Sequence, residues 1–445
     1  MAGSILAFHG QSRRVPFIVS AVVLIGLQQV VGVILVDDSW FFLGRILDGS
    51  ANSFREFWLT LWPGDASLDG PAITLLVFGM VASMWLLGAL AFRRAETTGS
   101  HPAWAALIVV PLLQLGALGY LAWQPDRPDT LPPEPIETKW RSSLVGTLAG
   151  GSVGLLGSAC WTLVVGEYGW GLFLGTPLVM GFVAARLANQ HEDIGRRASC
   201  KIALWSVLLG GLAMLALAIE GIVCLLMAAP LIGVMAVLGA LAGRKWALRQ
   251  GVGTTRLRSV ALLPLLMAVE TQLPPADSFE DVRSIEIAAS PAAVWDSVVH
   301  MGPIPARPAA PFGWGLAYPL RGTIRGEGPG AVREGVFSTG VAYEQVTVWE
   351  PGKRLEFDVL SDPPMMHELS PYREVHAPHL SGYFMTRDAR FRIEPLANGK
   401  TRLTLATRHE LSIAPIAYWK PISLWAIHAN KRRVLEHFRN QAERP

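Results

Sequence analysis

The chain is short of charge. Asp, Glu, Lys and Arg make up 16% of its 445 residues, against about 25% in an average soluble domain. That deficit argues against a single soluble enzyme, and a 51% hydrophobic content excludes a disordered chain. Cysteine is scarce as well. Three residues, Cys160, Cys200 and Cys224, cannot build a disulfide framework, and no CxxC or Cys/His zinc spacing occurs. Cys160 and Cys224 stand in apolar runs, where Cys behaves as a small hydrophobe, and Cys200 stands beside a basic loop. A net charge of only +3, with no basic run interleaved with aromatics, excludes a nucleic-acid footprint. No Gly-rich phosphate loop and no Ser/His/Asp constellation can be read.

The charge that is present is unevenly divided. Residues 1–278 hold 35 charged side chains, whereas the 167 residues 279–445 hold 38. The chain therefore reads as a membrane part followed by a soluble part. A spanning helix needs about 20 mostly apolar residues. Seven stretches qualify: 15–36, 72–92, 103–123, 143–165, 172–188, 202–219 and 221–242. A shorter run, 260–269, makes a doubtful eighth. The first is preceded by Arg13 and Arg14 and followed by Asp37 and Asp38 rather than a small-residue cleavage site, so it reads as a retained anchor. Residues 1–123 thus form a three-helix membrane segment, 124–142 a Pro-rich linker, and 143–273 a membrane domain of four to five spans.

Orientation follows the Lys/Arg bias of short loops. Arg93 and Arg94, the group Arg186, Arg196, Arg197 and Lys201, and the acid-free loop 244–258 mark cytoplasmic segments of a bacterial inner-membrane protein. The acid-rich loop 37–71 marks the outside. Parity then conflicts with charge. Two spans between 143 and 188 put the linker and the loop 189–201 on one side, although their charge signs differ. Either a span is miscounted or the linker departs from the rule. The C-terminal part lies outside if 260–269 crosses and in the cytoplasm otherwise.

Within the apolar half, Gly146, Gly150 and Gly154 recur every four residues, a small face that suits close helix packing. Glu220 and Glu167 fall at the midpoints of long apolar stretches, beside glycines, and read as turns at the membrane surface. Trp40, Trp62, Trp123, Trp140 and Trp170 sit near span ends, as interfacial anchors do.

Beyond Pro274-Pro275 the pattern changes to period two. The segment 282–289 reads as a strand, and Ser290-Pro291 as an N-cap followed by Pro at the first helical position. Strands are expected over 318–325, 331–338, 342–349, 354–360, 383–394 and 401–411. Gly328-Pro329-Gly330, Glu350-Pro351-Gly352 and Asn398-Gly399 supply turns, and an irregular insert covers 362–380. The chain closes with an amphipathic helix over about 422–442.

One strand, short helices, a run of antiparallel strands and a long final helix resemble the START-like helix-grip superfamily of polyketide cyclase-like and lipid-transfer domains. The opening "SIEIAASPAAVWDSV" and the closing "HANKRRVLEHF" carry that likeness over about 280–442. The segments "GEYGWGLFLGTPLVMGFV", "EGIVCLLMAAP", "VFSTGVAYEQVTVWEP" and "MHELSPYREVHAPHL" are similar to bacterial multi-pass membrane proteins with such a domain at the C-terminus. The expected fold class is an α-helical polytopic membrane domain of seven to eight spans, followed at 280–445 by an α+β helix-grip domain, a curved antiparallel sheet around a long C-terminal helix.

The resemblance implies a ligand cavity between sheet and helix. Strand alternation assigns Val332, Val336, Tyr343, Trp349, Leu355, Phe357, Tyr383, Met385, Phe391, Leu403 and Leu405 to the inner face. The same parity places Glu334, Gln345, Arg387 and His409 there, with Glu334 and Arg387 as an internal pair. The cavity candidates are Glu334, Tyr343, Gln345, Phe357, Tyr383, Arg387, His409 and Trp425. Trp425 and Phe438 are expected to hold the final helix. The insert's His367, Glu368, His376 and His379, with His409, Glu410 and His428, offer no converging zinc set, and no metal or cofactor is expected. The partners read from the chain are the lipid bilayer and a hydrophobic small molecule. The leading function is a membrane-anchored binding protein. A cyclase- or hydratase-like enzyme with His409 or Glu334 as acid/base is a second reading, and a ligand transporter a third.

Overall fold

A computed structural model describes residues 11–35, 70–108, 111–127, 138–166, 168–216, 219–250, 276–305, 308, 311–370 and 377–444. The chain divides into two compact units, Met1–Gln272 with Ser370–His376, and Leu273–Leu369 with Ala377–Pro445. The first is helical. The second is built on a sheet.

In the helical unit, α1 (Arg14–Leu35) and α2 (Gly70–Thr98) are followed by two short helices, α3 (Ala103–Leu107) and α4 (Pro111–Trp123). Then come α5 (Thr138–Ala159), α6 (Thr176–Ala188), α7 (Arg196–Ala216) and α8 (Ile222–Gln250). A π-helical segment, Cys160–Val165, ends α5, and another, Gly171–Gly175, leads into α6. Four helices among the described residues are long and apolar enough to cross a bilayer: Lys139–Thr162, Gly171–Ala188, Arg196–Leu215 and Ile222–Arg249. The expected count of seven to eight spans is not supported, and the stretch 260–269 lies outside the described residues.

The stretch 103–123 corrects the count for a physical reason. It is two helices rather than one, and its ends meet. The Trp104 and Tyr120 rings stack at 4.0 Å, and Arg127 N–H donates to the Thr97 carbonyl at 3.2 Å. The segment goes in and comes back. At 1.5 Å per residue the 13 residues of α4 reach only about 20 Å, short of the roughly 30 Å hydrocarbon layer. Arg94 fixes this return. Fully buried, it donates to the carbonyls of Leu121 (3.0 Å), Gln124 (2.6 Å) and Ser12 (3.2 Å) and pairs with Asp126. The start of α1, the end of α2 and the end of α4 therefore share one end of the unit.

That end continues through the four-helix group. His101 meets Trp140 edge-on at 5.2 Å, Lys139 lies 3.9 Å from Glu192, and Arg244 Nε donates to Asp193 at 2.9 Å. The opposite end holds the turn at Gly166 and the loop at Glu220, joined by the Tyr168 hydroxyl donating to Glu220 at 2.8 Å. Helices α5 to α8 thus run alternately. The end of 103–123, the start of α5 and the loop between α6 and α7 share one end of the unit.

Small residues set the packing. A Cβ on Gly146 would stand 2.5 Å from the Ala184 carbonyl, and one on Gly154 2.6 Å from Met180 Cε, so the glycine face of α5 is a packing face. The sequence reading missed Gly239 and Gly243 on α8, where a Cβ would meet the carbonyls of Leu178 and Phe182 at 2.0 and 2.2 Å.

The sheet domain begins with β1 (Asp277–Ile287) and α9 (Pro291–Val299). Ser290 caps α9 by accepting from Ala293 N–H, with Pro291 at its first position, as read from the sequence. Six strands follow: β2 (Pro319–Arg325), β3 (Val332–Phe337), β4 (Gly340–Glu350), β5 (Arg354–Ser361), β6 (Phe384–Pro395) and β7 (Thr401–Leu411). They end in α10 (Ile416–Ala442). The strand order is β1-β7-β6-β5-β4-β3-β2, antiparallel throughout.

The edge strands β1 and β2 would stand about 29 Å apart in a flat sheet at roughly 4.8 Å per strand. Yet α10 bonds to both. Lys431 Nζ donates to the Asp281 carbonyl on β1 at 2.6 Å, and Arg433 Nε to the Pro319 carbonyl on β2 at 3.3 Å. The sheet must curl around the helix for one helix to reach both edges. This is a helix-grip-like architecture, and it defines a concave inner face.

Candidate functional site: a polar belt on the inner face

The inner face has two halves. One is dry: Ile287, Val346, Leu355, Phe391 and Leu403 pack with Val294 and Val298 of α9 and Phe438 of α10. Phe438 is fully buried and meets Phe391 edge-on at 5.7 Å. The other half carries polar side chains across the sheet, from β3 to β1.

At one side of this belt Arg333 (β3) and Glu344 (β4) form a buried ion pair. Glycine makes room for it. Gly322, Gly335 and Ala342 stand in register across β2, β3 and β4. A Cβ on Gly322 would lie 2.8 Å from Arg333 Nη2, and one on Gly335 3.2 Å from Glu344 Oε1. The Arg333 guanidinium also stacks 4.6 Å from the Phe357 ring centroid, a cation–π contact that strengthens away from water. Burial pushes the Glu344 carboxyl above its ordinary pKa, against the opposing pull of Arg333.

Just beyond β5 comes Asp362. The residue is exposed as a whole, but its carboxylate turns in to accept from Thr386 N–H at 2.6 Å. Loss of water, together with the Glu344 charge, raises its pKa to about 6 against the Thr386 hydrogen bond and Arg387. Thr386 in turn lies 3.3 Å from His409 Nδ1, and His409 Nε2 lies 2.6 Å from the Thr407 hydroxyl. The imidazole is buried between Phe279 and Phe384. Burial, aided by the Lys431 charge and opposed by Asp281, lowers its pKa to about 4, so His409 is neutral at pH 7.

At the far side Asp281 (β1) takes Lys431 Nζ at 2.9 Å and His428 Nε2 at 2.8 Å, both from α10. Arg283 Nη2 donates to His428 Nδ1 at 2.6 Å, which leaves the proton of a neutral imidazole on Nε2, donating to Asp281. Burial works to raise the Asp281 carboxyl, but Lys431 and His428 hold it below the ordinary carboxylate range.

The structure places the sequence candidates unevenly. Phe357 and His409 lie buried on the inner face. Glu334 and Gln345 lie on the outer face, with Tyr343 half exposed beside them. The expected Glu334–Arg387 pair does not form: Glu334 pairs with Arg325 at 3.0 Å, and Arg387 with Glu410. On β3 the alternation was read in the wrong phase. Val332 and Val336 face outward, and the inner positions are Arg333 and Gly335, which carry no hydrophobic signal. On β4 and β6, bulges break the parity. The pairing skips Thr347 between Val346 and Val348, so Trp349 turns inward although Tyr343 does not. It skips Arg387 between Thr386 and Asp388, which turns Arg387 out and brings Phe384 and Thr386 in. One extra residue reverses every side chain beyond it. Tyr383 precedes β6 and is half-buried. Trp425 is half exposed and stacks on Phe312 at 5.5 Å.

The reading from sequence missed Arg333, Glu344, Asp281 and Lys431. Opposite charges at facing positions on β3 and β4 were the available signal for the first two.

No protein-family model matches the chain, and no curated protein matches it. Solved structures similar at low identity include the following three. A Nitrosomonas europaea protein is 12% identical, with 36% of this chain and 92% of that chain covered and a TM-score of 0.23. Truncated norcoclaurine synthase from Thalictrum flavum is 10% identical, with 38% and 96% covered and a TM-score of 0.25. A Rhizobium leguminosarum protein is 11% identical, with 39% and 99% covered and a TM-score of 0.25. The helix-grip assignment rests on the strand order and the two-edge contact of α10.

Proposed function

We propose that the sheet domain binds a small molecule with an apolar body and a polar group, in a chain anchored in the membrane by its helical unit. The observation that supports this most is the polar belt beside the dry core. A buried guanidinium, its buried carboxyl partner and a neutral imidazole are costly to bury, and a ligand's polar group gives them a use. Native mass spectrometry of the full chain extracted in mild detergent tests the reading. An apolar molecule retained by the wild type and lost in His409→Gln or Glu344→Gln supports it. A wild-type chain that carries no small molecule, and takes up none from a lipid extract, overturns it.

A second reading, an acid–base enzyme of cyclase or hydratase type, is favoured by one feature. Glu344, with its raised pKa, and neutral His409 lie along one belt, as a proton donor and acceptor would. Turnover of the retained molecule that vanishes in Glu344→Gln while retention persists would select the enzyme.

For the membrane part we propose six crossings, by α1, α2 and α5 to α8, with 103–123 returning to its own side. The end bearing Arg94, Lys139, Arg196, Arg197 and Arg244 faces the cytoplasm of a bacterial inner membrane, by the positive-inside rule. A single-cysteine Lys139→Cys chain should resist a membrane-impermeant maleimide in intact cells and react after permeabilisation. Labelling in intact cells would invert the orientation.

A further inference from the structure

We propose that the basic end of the helical unit is a docking surface for anionic phospholipid headgroups; this rests on the membrane reading above and goes beyond it. The argument is one of charge left unspent. Arg196, Arg197 and Lys201 on α7 and Lys245 and Arg249 on α8 are exposed, and among the described residues no acidic side chain pairs with any of them. Three described acids at this end are already engaged: Asp193 binds Arg244, Glu192 faces Lys139 and Asp126 binds Arg94. At the opposite end of the unit no Lys or Arg occurs among the described residues, and Glu220 is the charged group.

Two of these cations also contradict local preference. Arg196 and Arg197 open α7, which has no acidic residue in its first turn. A helix start carries partial positive charge, and cations there are disfavoured. No acidic side chain among the described residues pairs with them. A local rule broken without internal compensation points to a task outside the chain.

The platform beneath them is firmly built. Buried Asn189 donates to the Ala185 carbonyl at 2.6 Å and to Ser199 Oγ at 2.9 Å, and accepts from Ile194 N–H at 3.2 Å. Ser199 donates back to the Gly195 carbonyl at 2.9 Å. Arg244 and Asp193 tie the loop to the end of α8. Trp140 and Trp246, each about half exposed at 49% and 46%, stand at the same end, where indoles favour the headgroup level. Fixed cations flanked by interfacial tryptophans are complementary to phosphate headgroups, whose leaflet attracts each Lys or Arg near its surface.

The test uses the full chain reconstituted in vesicles of phosphatidylcholine with 30% phosphatidylglycerol, then extracted and examined by native mass spectrometry for retained lipid. The wild type is expected to retain phosphatidylglycerol over phosphatidylcholine by about tenfold relative to the vesicle ratio. Arg196→Gln/Arg197→Gln/Lys201→Gln should cut that preference to about threefold or less. Lys245→Gln/Arg249→Gln provides an independent variant if the triple one fails to fold. Equal retention of the two lipids by the wild type overturns the proposal, as does a preference unchanged in a folded variant. Retention of RNA or an acidic protein in place of phosphatidylglycerol overturns it too. Failure of the chain to enter vesicles at all sinks the membrane reading itself, which separates the two.

Discussion

The two halves of the sheet domain's inner face share strands and one helix, yet they differ in every interaction that matters. Around Phe438 the residues are Ile, Val, Leu and Phe, and no buried charge intrudes. About two to three turns earlier on the same helix, Lys431 and His428 reach Asp281, and across the sheet Arg333 meets Glu344. The dry half gains from non-directional burial and tolerates small shifts. The polar half depends on particular partners, and each loss there leaves a charge stranded. Stability and chemistry are thus segregated along the strand direction rather than between strands.

That comparison is broken most directly by removing single members. Truncating Phe438 to Ala should cost about 3–5 kcal/mol, as for other buried aromatics, read as faster hydrogen exchange of β6 and β7 amides in the full chain. Trp425→Ala should change the same readout far less, because its ring is half exposed. In the polar half, Arg333→Met alone should cost about 3–5 kcal/mol by leaving Glu344 buried without its cation, whereas Arg333→Met with Glu344→Met should recover most of that. A single Arg333 change as mild as a surface one would mean that the belt is wet and the two halves are not distinct.

A smaller effect concerns pH. His409 has a folded pKa near 4 and an unfolded one near 6.5, so the unfolded chain takes up a proton first. The His409 contribution is full above about pH 6.5 and is lost as pH falls toward 4, by about 3 kcal/mol at most; buried His379, also lowered to about 4, acts in the same direction, and Asp362, raised to about 6, acts in the opposite one. His409→Gln should remove the His409 part of that slope between about pH 6.5 and 4 and leave the parts set by His379 and Asp362. The dry half has no titrating group, and Leu403→Val should leave the slope unchanged. If His409→Gln retains the slope, the imidazole is not the group being protonated.

The dry half was legible in the sequence, and the polar half only at His409. Leu355, Phe357, Phe391, Leu403 and Leu405 alternate within strands whose ends are marked by Gly, Pro and Asn-Gly, so hydrophobic periodicity located them. The Ser290-Pro291 cap was readable because it needs only local chemistry. The belt depends on what periodicity cannot register: glycines that face inward, and bulges at Thr347 and Arg387 that flip the strand beyond them. In the helical unit, apolar length alone found α5 to α8, but it could not tell a crossing from a return at 103–123. Only the Arg94 and Trp104–Tyr120 contacts distinguish the two.

The smallest effect is expected where the alternation pattern pointed to an internal pair. Glu334 and Arg387 are oppositely charged and share parity with apolar neighbours, yet each is spent on a different exposed partner, Arg325 and Glu410. Exposed pairs contribute roughly 0–1 kcal/mol. Glu334→Gln and Arg387→Gln should therefore each shift stability by about 0.5 kcal/mol or less, and the double variant should equal their sum, as for independent sites. The readout is again amide exchange, at β3 for the first and β6 for the second. A coupling above about 1 kcal/mol would place the two side chains on one buried face, with the bulge at Arg387 absent. It would also return Arg333 and Glu344 to the outer surface, since both faces of one strand cannot be the inner one.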